Sequence, residues 1–237
     1  MRFRRAAQGT AAAAFDAAPR PADGAGWREV PWCAVDLEMT GLNPRTDEIV
    51  AIGAVPISDG RVILGGGMYT LVRASKRSQV GAVLVHKLRL ADVADAPTLD
   101  EAIDLLFGAL AGRVPVFHTA AIETAFLGRQ FTRRYVRLPP AADTEVLGRA
   151  WLRHRDGSED AYPRGISLGR LAETLGQPGE APHHALGDAL TTAQVFIALA
   201  SLLDTVAPQT VGSLLRTGAA GGPGARATGG ARRLGPG

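Results

Sequence analysis

Apolar and polar positions follow two different patterns along the chain, and each pattern predicts a different kind of element. Between residues 32 and 72, short apolar runs are separated by turn residues such as Ser58-Asp59-Gly60, which is typical of strands joined by hairpins. This part predicts an antiparallel meander of three strands, the first starting near Trp32 and the others at 48–57 and 61–72. From residue 98 onward, stretches with helical spacing alternate with short apolar runs.

Helix-start signals define the second half of the chain. Thr98 is followed by Asp100 and Glu101, which is typical of an N-cap and an acidic first turn. Ser167 is likewise expected to be an N-cap residue, because it precedes a later apolar stretch. The predicted helices lie at 98–111, 121–135, from 144 through Trp151, 167–175 and 184–203, with strands at 113–117 and 141–144. A meander followed by alternating helices and strands predicts an α/β fold, in which helices cover a mixed sheet.

Composition divides the chain into three parts. Residues 1–26 are dominated by Ala, Arg, Gly and Pro without periodicity, and we expect a disordered N-terminal extension. Residues 207–237 predict a disordered Gly/Ala/Arg tail, which contains four arginines and no acidic residue. Residues 27–206 are then the folded domain. The two extensions carry net charges of +2 and +4, so the formal net charge of +3 for the whole chain leaves −3 for the central domain, which is mildly acidic.

The sequence favours a cytoplasmic protein with no membrane segment. We find no run of about 18 apolar residues of the kind that crosses a bilayer. The N-terminus lacks the apolar region of a secretory signal. Cys33 is the single cysteine and cannot form an internal disulfide, which fits a reducing compartment.

Two carboxylates lie at the end of the first strand. Side chains of a strand alternate between its faces, so Asp36 and Glu38 point to the same side while Leu37 points to the other. Like charges held this close repel unless a positive charge lies between them. Since no His or Cys cluster lies nearby in the sequence, the pair predicts a hard divalent cation with oxygen ligands, Mg²⁺ or Mn²⁺.

Further acidic residues recur where an α/β fold would return them to this point. Glu123 follows the strand at 113–117, and Asp188 lies five residues after His183 at the start of the last helix. Four carboxylates and one imidazole could converge on two cations, an arrangement suited to in-line displacement at phosphorus. His183 would then accept a proton from the attacking water, whereas we expect the neighbouring His184 to play no part.

Three segments resemble the exonuclease motifs of the DEDDh 3′–5′ exonuclease family, which includes the proofreading epsilon subunit of bacterial DNA polymerase III. They are Asp36-Leu37-Glu38-Met39-Thr40-Gly41, the block from Val116 to Leu127, and His183-His184-Ala185-Leu186-Gly187-Asp188-Ala189. The resemblance runs from about residue 31 to 200. It implies a ribonuclease H-like fold, two divalent cations, and a nucleic acid 3′ end as the substrate, with a DNA polymerase as a possible partner.

The resemblance also implies roles for individual residues. Asp36, Glu38, Glu123 and Asp188 would be metal ligands, and His183 the general base. Asp143-Thr144 resembles a pair whose role in the family is structural. The first motif and the short His-containing segment at 85–88 would contact the terminal nucleotide. The residues concerned are Met39, Thr40, Gly41, Leu42 and His86.

The second motif departs from the family pattern. Glu123 stands where the family usually has Asp, and its extra methylene would move the carboxylate by about 1–1.5 Å. We therefore expect either a 3′–5′ exonuclease, with a weak preference for DNA, or a nucleic-acid-binding or polymerase-associated module whose cleavage is weakened. A third interpretation is an RNA-trimming enzyme, because Glu38 to Leu42 also resembles the first motif of oligoribonuclease.

Overall fold

The computed structural model describes residues 6–73, 95–157, 165–178 and 184–219. Its strands are β1 (Trp32–Met39), β2 (Ile49–Ser58), β3 (Arg61–Val62), β4 (Met68–Leu71), β5 (Val114–Phe117) and β6 (Ala142–Asp143). They form one mixed sheet with the order β3-β2-β1-β5-β6, and β4 also pairs with β2. The pairs β1–β2, β2–β3 and β2–β4 are antiparallel, whereas β1–β5 and β5–β6 are parallel.

Helices cover both faces of this sheet, as the pattern of elements predicted. They are α1 (Ala11–Ala17), α2 (Leu99–Leu110), α3 (Ala120–Arg133), α4 (Thr144–Asp156), α5 (Leu168–Thr174), α6 (Ala185–Val206) and α7 (Val211–Ala219). Two N-caps are confirmed. The Thr98 hydroxyl accepts from Glu101 N–H while the Glu101 carboxylate accepts from Thr98 N–H, a reciprocal capping box, and the Ser167 hydroxyl accepts from Arg170 N–H.

The alternation of β1 separates two apolar cores. Cys33, Val35 and Leu37 pack with the side of the sheet covered by α1, α2 and α3. Trp32 and Ala34 pack with the side covered by α4, α5, α6 and α7. Because side chains alternate, Asp36 and Glu38 continue the row of Trp32 and Ala34 and point to the α6 side.

The predicted third strand is interrupted. Residues 61–72 form β3, a short 3₁₀ turn at Leu64–Gly66, and β4, and both strands pair with β2. Three consecutive glycines, 65–67, lie at the interruption. Glycine lacks a side chain to pack and is unfavourable within a strand, so the ladder breaks there and resumes at Met68.

The N-terminal segment is ordered from at least Ala6, which corrects the expectation of a disordered extension over residues 1–26. The Thr10 hydroxyl caps α1, and Phe15 is buried with its ring 5.1 Å from that of Phe107 and 5.5 Å from that of Phe131. A seven-residue helix is marginal by propensity alone, so the packing of Phe15 stabilises it. Residues 1–5 lie outside the described part of the chain.

The segment after residue 206 is also folded in part, so the expected tail boundary is too early. α7 buries Val211 and Leu214 against the α6 side of the sheet. Its start is tied to the N-terminal segment, because Val211 N–H donates to Ala25 O (3.0 Å) and Gly26 forms a β-bridge with Thr210. The two ends of the domain therefore support each other. Residues 220–237 lie outside the described part.

α6 is the long helix of the core. By length and composition it is apolar enough to cross a membrane, contrary to the expectation from the sequence. A buried core helix meets the same criterion, and Ala189, Ala193, Phe196 and Leu199 of α6 are fully buried against the sheet. Packing within the protein accounts for its apolar character.

A glycine in β2 lets α6 start against the sheet. A Cβ built on Gly53 would lie 2.2 Å from the Ala185 carbonyl oxygen, well inside van der Waals contact. Gly53 is also the β-ladder partner of Asp36. The close approach therefore sets the distance between the first turn of α6 and the acidic end of β1.

Replacing Gly53 should test this close approach. We expect Gly53→Ala to lower the free energy of unfolding by roughly 1–3 kcal/mol, because the added methyl group meets backbone that cannot move aside as a side chain could. Urea unfolding monitored by circular dichroism would measure the change.

Gly108→Ala is the matched control, since a Cβ at this exposed position in α2 has open space around it. It should stabilise the protein by roughly 0.5–1 kcal/mol through helix propensity. An equal effect of the two substitutions would contradict the close contact at Gly53.

Candidate active site

The end of β1 carries the first two carboxylates of the site. Asp36 pairs with Gly53 and Glu38 with Ala51 across the β1–β2 ladder, and the register shifts between Glu38 and Met39. Asp36 is half-buried and Glu38 is buried. The strand therefore fixes the backbone beneath both acids and removes them largely from solvent.

The start of α6 brings the third carboxylate to the same place. Asp188 lies in the first turn of α6, where its N–H donates to the His184 carbonyl (2.9 Å). A helix N-terminus favours a negative charge because unpaired N–H groups and the helix dipole point there. Carboxylate oxygens of Asp36, Glu38 and Asp188 all lie within 4.8 Å of one another. Three of the predicted metal ligands thus form one close group.

The electrostatics of this group are unfavourable without a cation. The pKa of Asp36 is raised well above its usual value, first because burial penalises the charged form. The charges of Asp188, Glu123 and Glu38 then raise it further. Burial and the neighbouring charges therefore favour the protonated form of Asp36 more than in a free carboxyl group, and a divalent cation would favour the charged form.

Glu123 adjoins this close group without belonging to it. It lies in the first turn of α3, is buried, and its charge contributes to the raised pKa of Asp36. Burial and the charge of Asp143 raise the pKa of Glu123 itself to about 8. Its Oε2 atom is buried, and among the described residues it has no hydrogen-bond partner. Such an oxygen is costly to bury unless a further group binds it.

The donor set fits a divalent cation. The close group offers carboxylate oxygens, which Mg²⁺ and Mn²⁺ prefer over sulfur ligands. The unpartnered Glu123 oxygen and the raised pKa of Asp36 both indicate that positive charge is needed here. Asp36, Glu38 and Asp188 would hold such an ion, with Glu123 beside them.

Asp143 organises the backbone around Glu123. Its carboxylate accepts hydrogen bonds from Thr119 N–H (3.2 Å) and Ala120 N–H (2.9 Å) at the start of α3, and from Glu145 N–H (2.9 Å) at the start of α4. Thr119 adopts a left-handed conformation (φ 61°), which is strained for a β-branched residue. The hydrogen bonds to Asp143 hold this turn, in agreement with the structural role expected for Asp143-Thr144.

His118 is an internal structural residue. Its Nε2 atom lies 3.0 Å from the Ile166 carbonyl, which can only accept, so Nε2 carries the proton. Its Nδ1 atom lies 2.9 Å from the Thr144 hydroxyl. Burial lowers the pKa of His118, which keeps the ring neutral. The residue connects β5, α4 and the segment before α5.

Thr40, Gly41 and Leu42, three of the residues expected to contact the substrate, lie in a tight loop after β1. Thr40 N–H donates to Glu48 O, and Glu48 N–H donates to the Thr40 hydroxyl (both 3.0 Å). A Cβ on Gly41 would lie 2.5 Å from the Asp47 carboxylate, so this position accommodates only glycine without a shift. Leu42 is 72% exposed. The loop is therefore closed by its own hydrogen bonds while presenting Leu42 outward.

Sequence reasoning missed two residues that shape the site. Gly53 acts through a close backbone contact that no sequence motif indicates. The Arg129 side chain donates to the Pro44 carbonyl and so joins α3 to the loop after β1. Two predicted site residues, His183 and His86, lie outside the described residues. His184, which immediately follows His183, is the N-cap of α6.

Most of this chain is similar in sequence to known DNA polymerase III proteins. A DNA polymerase III subunit epsilon-like protein of Rhodobacter capsulatus is 33% identical over 188 residues, which cover 76% of this chain and 25% of that protein. A PolC-type DNA polymerase III of Thermotoga petrophila is 28% identical over 175 residues, covering 73% of this chain and 12% of that protein. The chain thus spans about a quarter or less of the length of these curated relatives.

Solved structures show the same fold. Cell-death related nuclease 4 (CRN-4) superimposes with a TM-score of 0.59 at 13% identity, covering 74% of this chain and 65% of that one. The nuclease domain of 3′hExo, a DEDDh family member bound to rAMP, gives a TM-score of 0.56 at 18% identity, covering 78% and 98%. The expected ribonuclease H-like mixed sheet is confirmed.

The Exonuclease family model matches residues 33–196, well over half of the chain. The match begins in β1 and ends in α6, so it contains all four acidic residues singled out above. The chain therefore belongs to the exonuclease family.

Proposed function

We propose that this chain is a metal-dependent 3′–5′ exonuclease that hydrolyses phosphodiester bonds at single-stranded 3′ ends and releases nucleoside monophosphates. The observation that carries the proposal is the close group of Asp36, Glu38 and Asp188, whose oxygens lie within 4.8 Å of one another on two separate elements. Exonucleases of this family depend on divalent metal ions. We assign two such ions to this chain, either Mg²⁺ or Mn²⁺.

The proposed roles follow from the chemistry of each side chain. Asp36, Glu38, Glu123 and Asp188 bind the cations, which when bound would stabilise negative charge on the attacking and leaving oxygens. His183 accepts a proton from the attacking water, a role suited to an imidazole with a pKa near 6.5. Met39, Thr40, Gly41, Leu42 and His86 contact the terminal nucleotide.

Substrate and partner are proposals at a finer level. We favour DNA over RNA, and a DNA polymerase as a partner, because the relatives are named as DNA polymerase III proteins. We also propose a cytoplasmic location, because the single cysteine, Cys33, is free and buried, which suits a reducing compartment. RNA trimming remains an outcome of the assay described below.

A second candidate function is a nucleic-acid-binding module with weakened cleavage. The position of Glu123 favours it, because this carboxylate adjoins the close group instead of joining it. Mn²⁺ titration calorimetry separates the two functions. Two bound ions per chain support the exonuclease, whereas one bound ion supports the weakened module.

Digestion of 5′-labelled oligonucleotides tests the activity and ranks the substrates. Single-stranded DNA, DNA with a recessed 3′ end and RNA would each be incubated with Mg²⁺ or Mn²⁺, with EDTA as the control. We expect a metal-dependent ladder that shortens from the 3′ end, fastest on single-stranded DNA. Folded protein that cleaves none of these with either metal would exclude the proposal.

Asp36→Asn should abolish hydrolysis while leaving the fold intact. The substitution removes a charged ligand from the close group, and we expect the rate to fall by a factor on the order of 1,000 or more. Asp104→Asn, at an exposed position of α2, is the matched control and should keep full activity. Undiminished hydrolysis by Asp36→Asn would rule the mechanism out.

The metal-free protein should lose stability as the pH rises. A carboxyl group whose pKa is raised in the folded state stabilises the folded protein fully at pH values below its unfolded-state pKa, near 4. This stabilisation is lost as the pH rises through the raised folded-state pKa. Asp36 and Glu123 are such groups, the latter with a pKa of about 8. Thermal unfolding in EDTA should show the Tm falling between about pH 5 and pH 8. Mn²⁺ should restore it at high pH.

Glu123→Gln provides the internal comparison for this pH dependence. Without metal near pH 7–8, the variant should be more stable than the wild type by roughly 1–3 kcal/mol, because a neutral amide avoids the free-energy cost of protonating Glu123 on folding. It should also gain less stability from Mn²⁺. Identical pH dependence of the two proteins would show that Glu123 ionises at no cost in the folded state.

A further inference from the structure

An exposed aromatic pair lies at the start of α6. The Tyr69 ring of β4 stacks on the His184 ring with the centroids 4.6 Å apart and the planes inclined by 20°. Both residues are accessible to solvent, with Tyr69 37% exposed. The stack links β4, which pairs with β2, to His184, the N-cap residue of α6.

The sheet register places this pair in the same row as the carboxylates. Asp36 of β1 is opposite Gly53 of β2, and Gly53 is opposite Tyr69 of β4. Residues directly opposite in antiparallel strands point to the same face. Tyr69 therefore lies on the α6 side of the sheet, two strand spacings or about 10 Å from Asp36.

His184 is connected directly to the turn that carries Asp188. Its Nδ1 atom accepts from Gly187 N–H (3.4 Å), and its carbonyl accepts from Asp188 N–H (2.9 Å). Ala185, the next residue, is the one whose carbonyl lies against Gly53. The His184 ring is therefore attached to the first turn of α6, which carries Asp188.

We propose that Tyr69 is a positioning residue of the active site: by stacking on His184, it holds the first turn of α6 so that the Asp188 carboxylate meets Asp36 and Glu38. The proposal rests on the proposed exonuclease function. It also gives His184 a role, where sequence reasoning had expected none.

The size of the expected effect follows from the strength of such a pair. An aromatic pair changes an equilibrium constant by roughly 2- to 10-fold, and a misplaced catalytic group lowers the rate at each turnover. Tyr69→Ala should therefore lower kcat roughly 3- to 10-fold with little change in KM. Tyr69→Phe keeps the ring and should stay within about twofold of the wild type.

Two substrates distinguish positioning from direct stacking on the nucleic acid. One is a single-stranded DNA oligonucleotide, and the other is a 4-nitrophenyl ester of thymidine 5′-monophosphate, which has no second base to stack. A positioning role predicts the same loss of kcat on both. A raised KM on the oligonucleotide with an unchanged rate on the ester would make Tyr69 a base-stacking surface and overturn the proposal.

Mn²⁺ binding gives a readout that does not need catalysis. Electron paramagnetic resonance of free Mn²⁺ should show affinity weakened roughly 3- to 10-fold in Tyr69→Ala, because Asp188 is displaced, and near wild-type affinity in Tyr69→Phe. If the wild type cleaves neither substrate, the proposed function fails, yet this comparison still decides the positioning role. Equal Mn²⁺ affinity in Tyr69→Ala and wild type would overturn it.

A double-mutant cycle tests whether Tyr69 acts through His184. His184→Asn removes the ring but keeps a good N-cap residue. If the two residues act as a pair, adding Tyr69→Ala to His184→Asn should cause little further loss of kcat or Mn²⁺ affinity. Fully additive losses, in proteins whose Tm values match the wild type, would show that Tyr69 does not work through His184.

Discussion

Repulsion between closely spaced carboxylates is the constraint on which the rest of the site depends. Asp36, Glu38 and Asp188 lie within 4.8 Å of one another, and Glu123 adds a further buried charge beside them. At an effective dielectric constant near 20, each close pair of charges costs roughly 3 kcal/mol. The packing of the domain holds these groups together despite this repulsion. A bound divalent cation would neutralise the repulsion, so relief of the repulsion favours metal binding.

Backbone contacts supply the rigidity that this arrangement needs. Gly53 lets the first turn of α6 lie directly on β2, which sets the place of Asp188. Asp143 accepts hydrogen bonds at the starts of both α3 and α4, which sets the place of Glu123. The acids therefore come from a strand and two helix N-termini whose relative positions are fixed by neighbours that carry no catalytic chemistry themselves.

The sequence was most informative where a local pattern and a local interaction coincide. The alternation of Asp36 and Glu38, the Thr98 capping box and the Ser167 cap each depend on residues within a few positions of one another. The sequence was least informative where tertiary packing decides the outcome. α1 forms because Phe15 packs against Phe107 and Phe131, which lie about 90 and 115 residues further along the chain. The local composition around α1 does not indicate these contacts.

The same reasoning explains what was missed at the site. The exclusion of any side chain at Gly53 depends on a helix that starts 132 residues later, so nothing near Gly53 in the sequence indicates it. The extra methylene of Glu123 was noticed, but its position beside the close group depends on the strained turn at Thr119 and its contacts with Asp143. Such features are visible only once the elements are packed.

The most direct test of a carboxylate site that needs a cation is the number of protons released when Mn²⁺ binds. Calorimetric titration near pH 7 in two buffers with different ionisation enthalpies yields this number. The raised pKa values of Asp36 and Glu123 predict release of about one proton or more per chain. Binding without proton release, or no binding at millimolar Mn²⁺, would contradict the account.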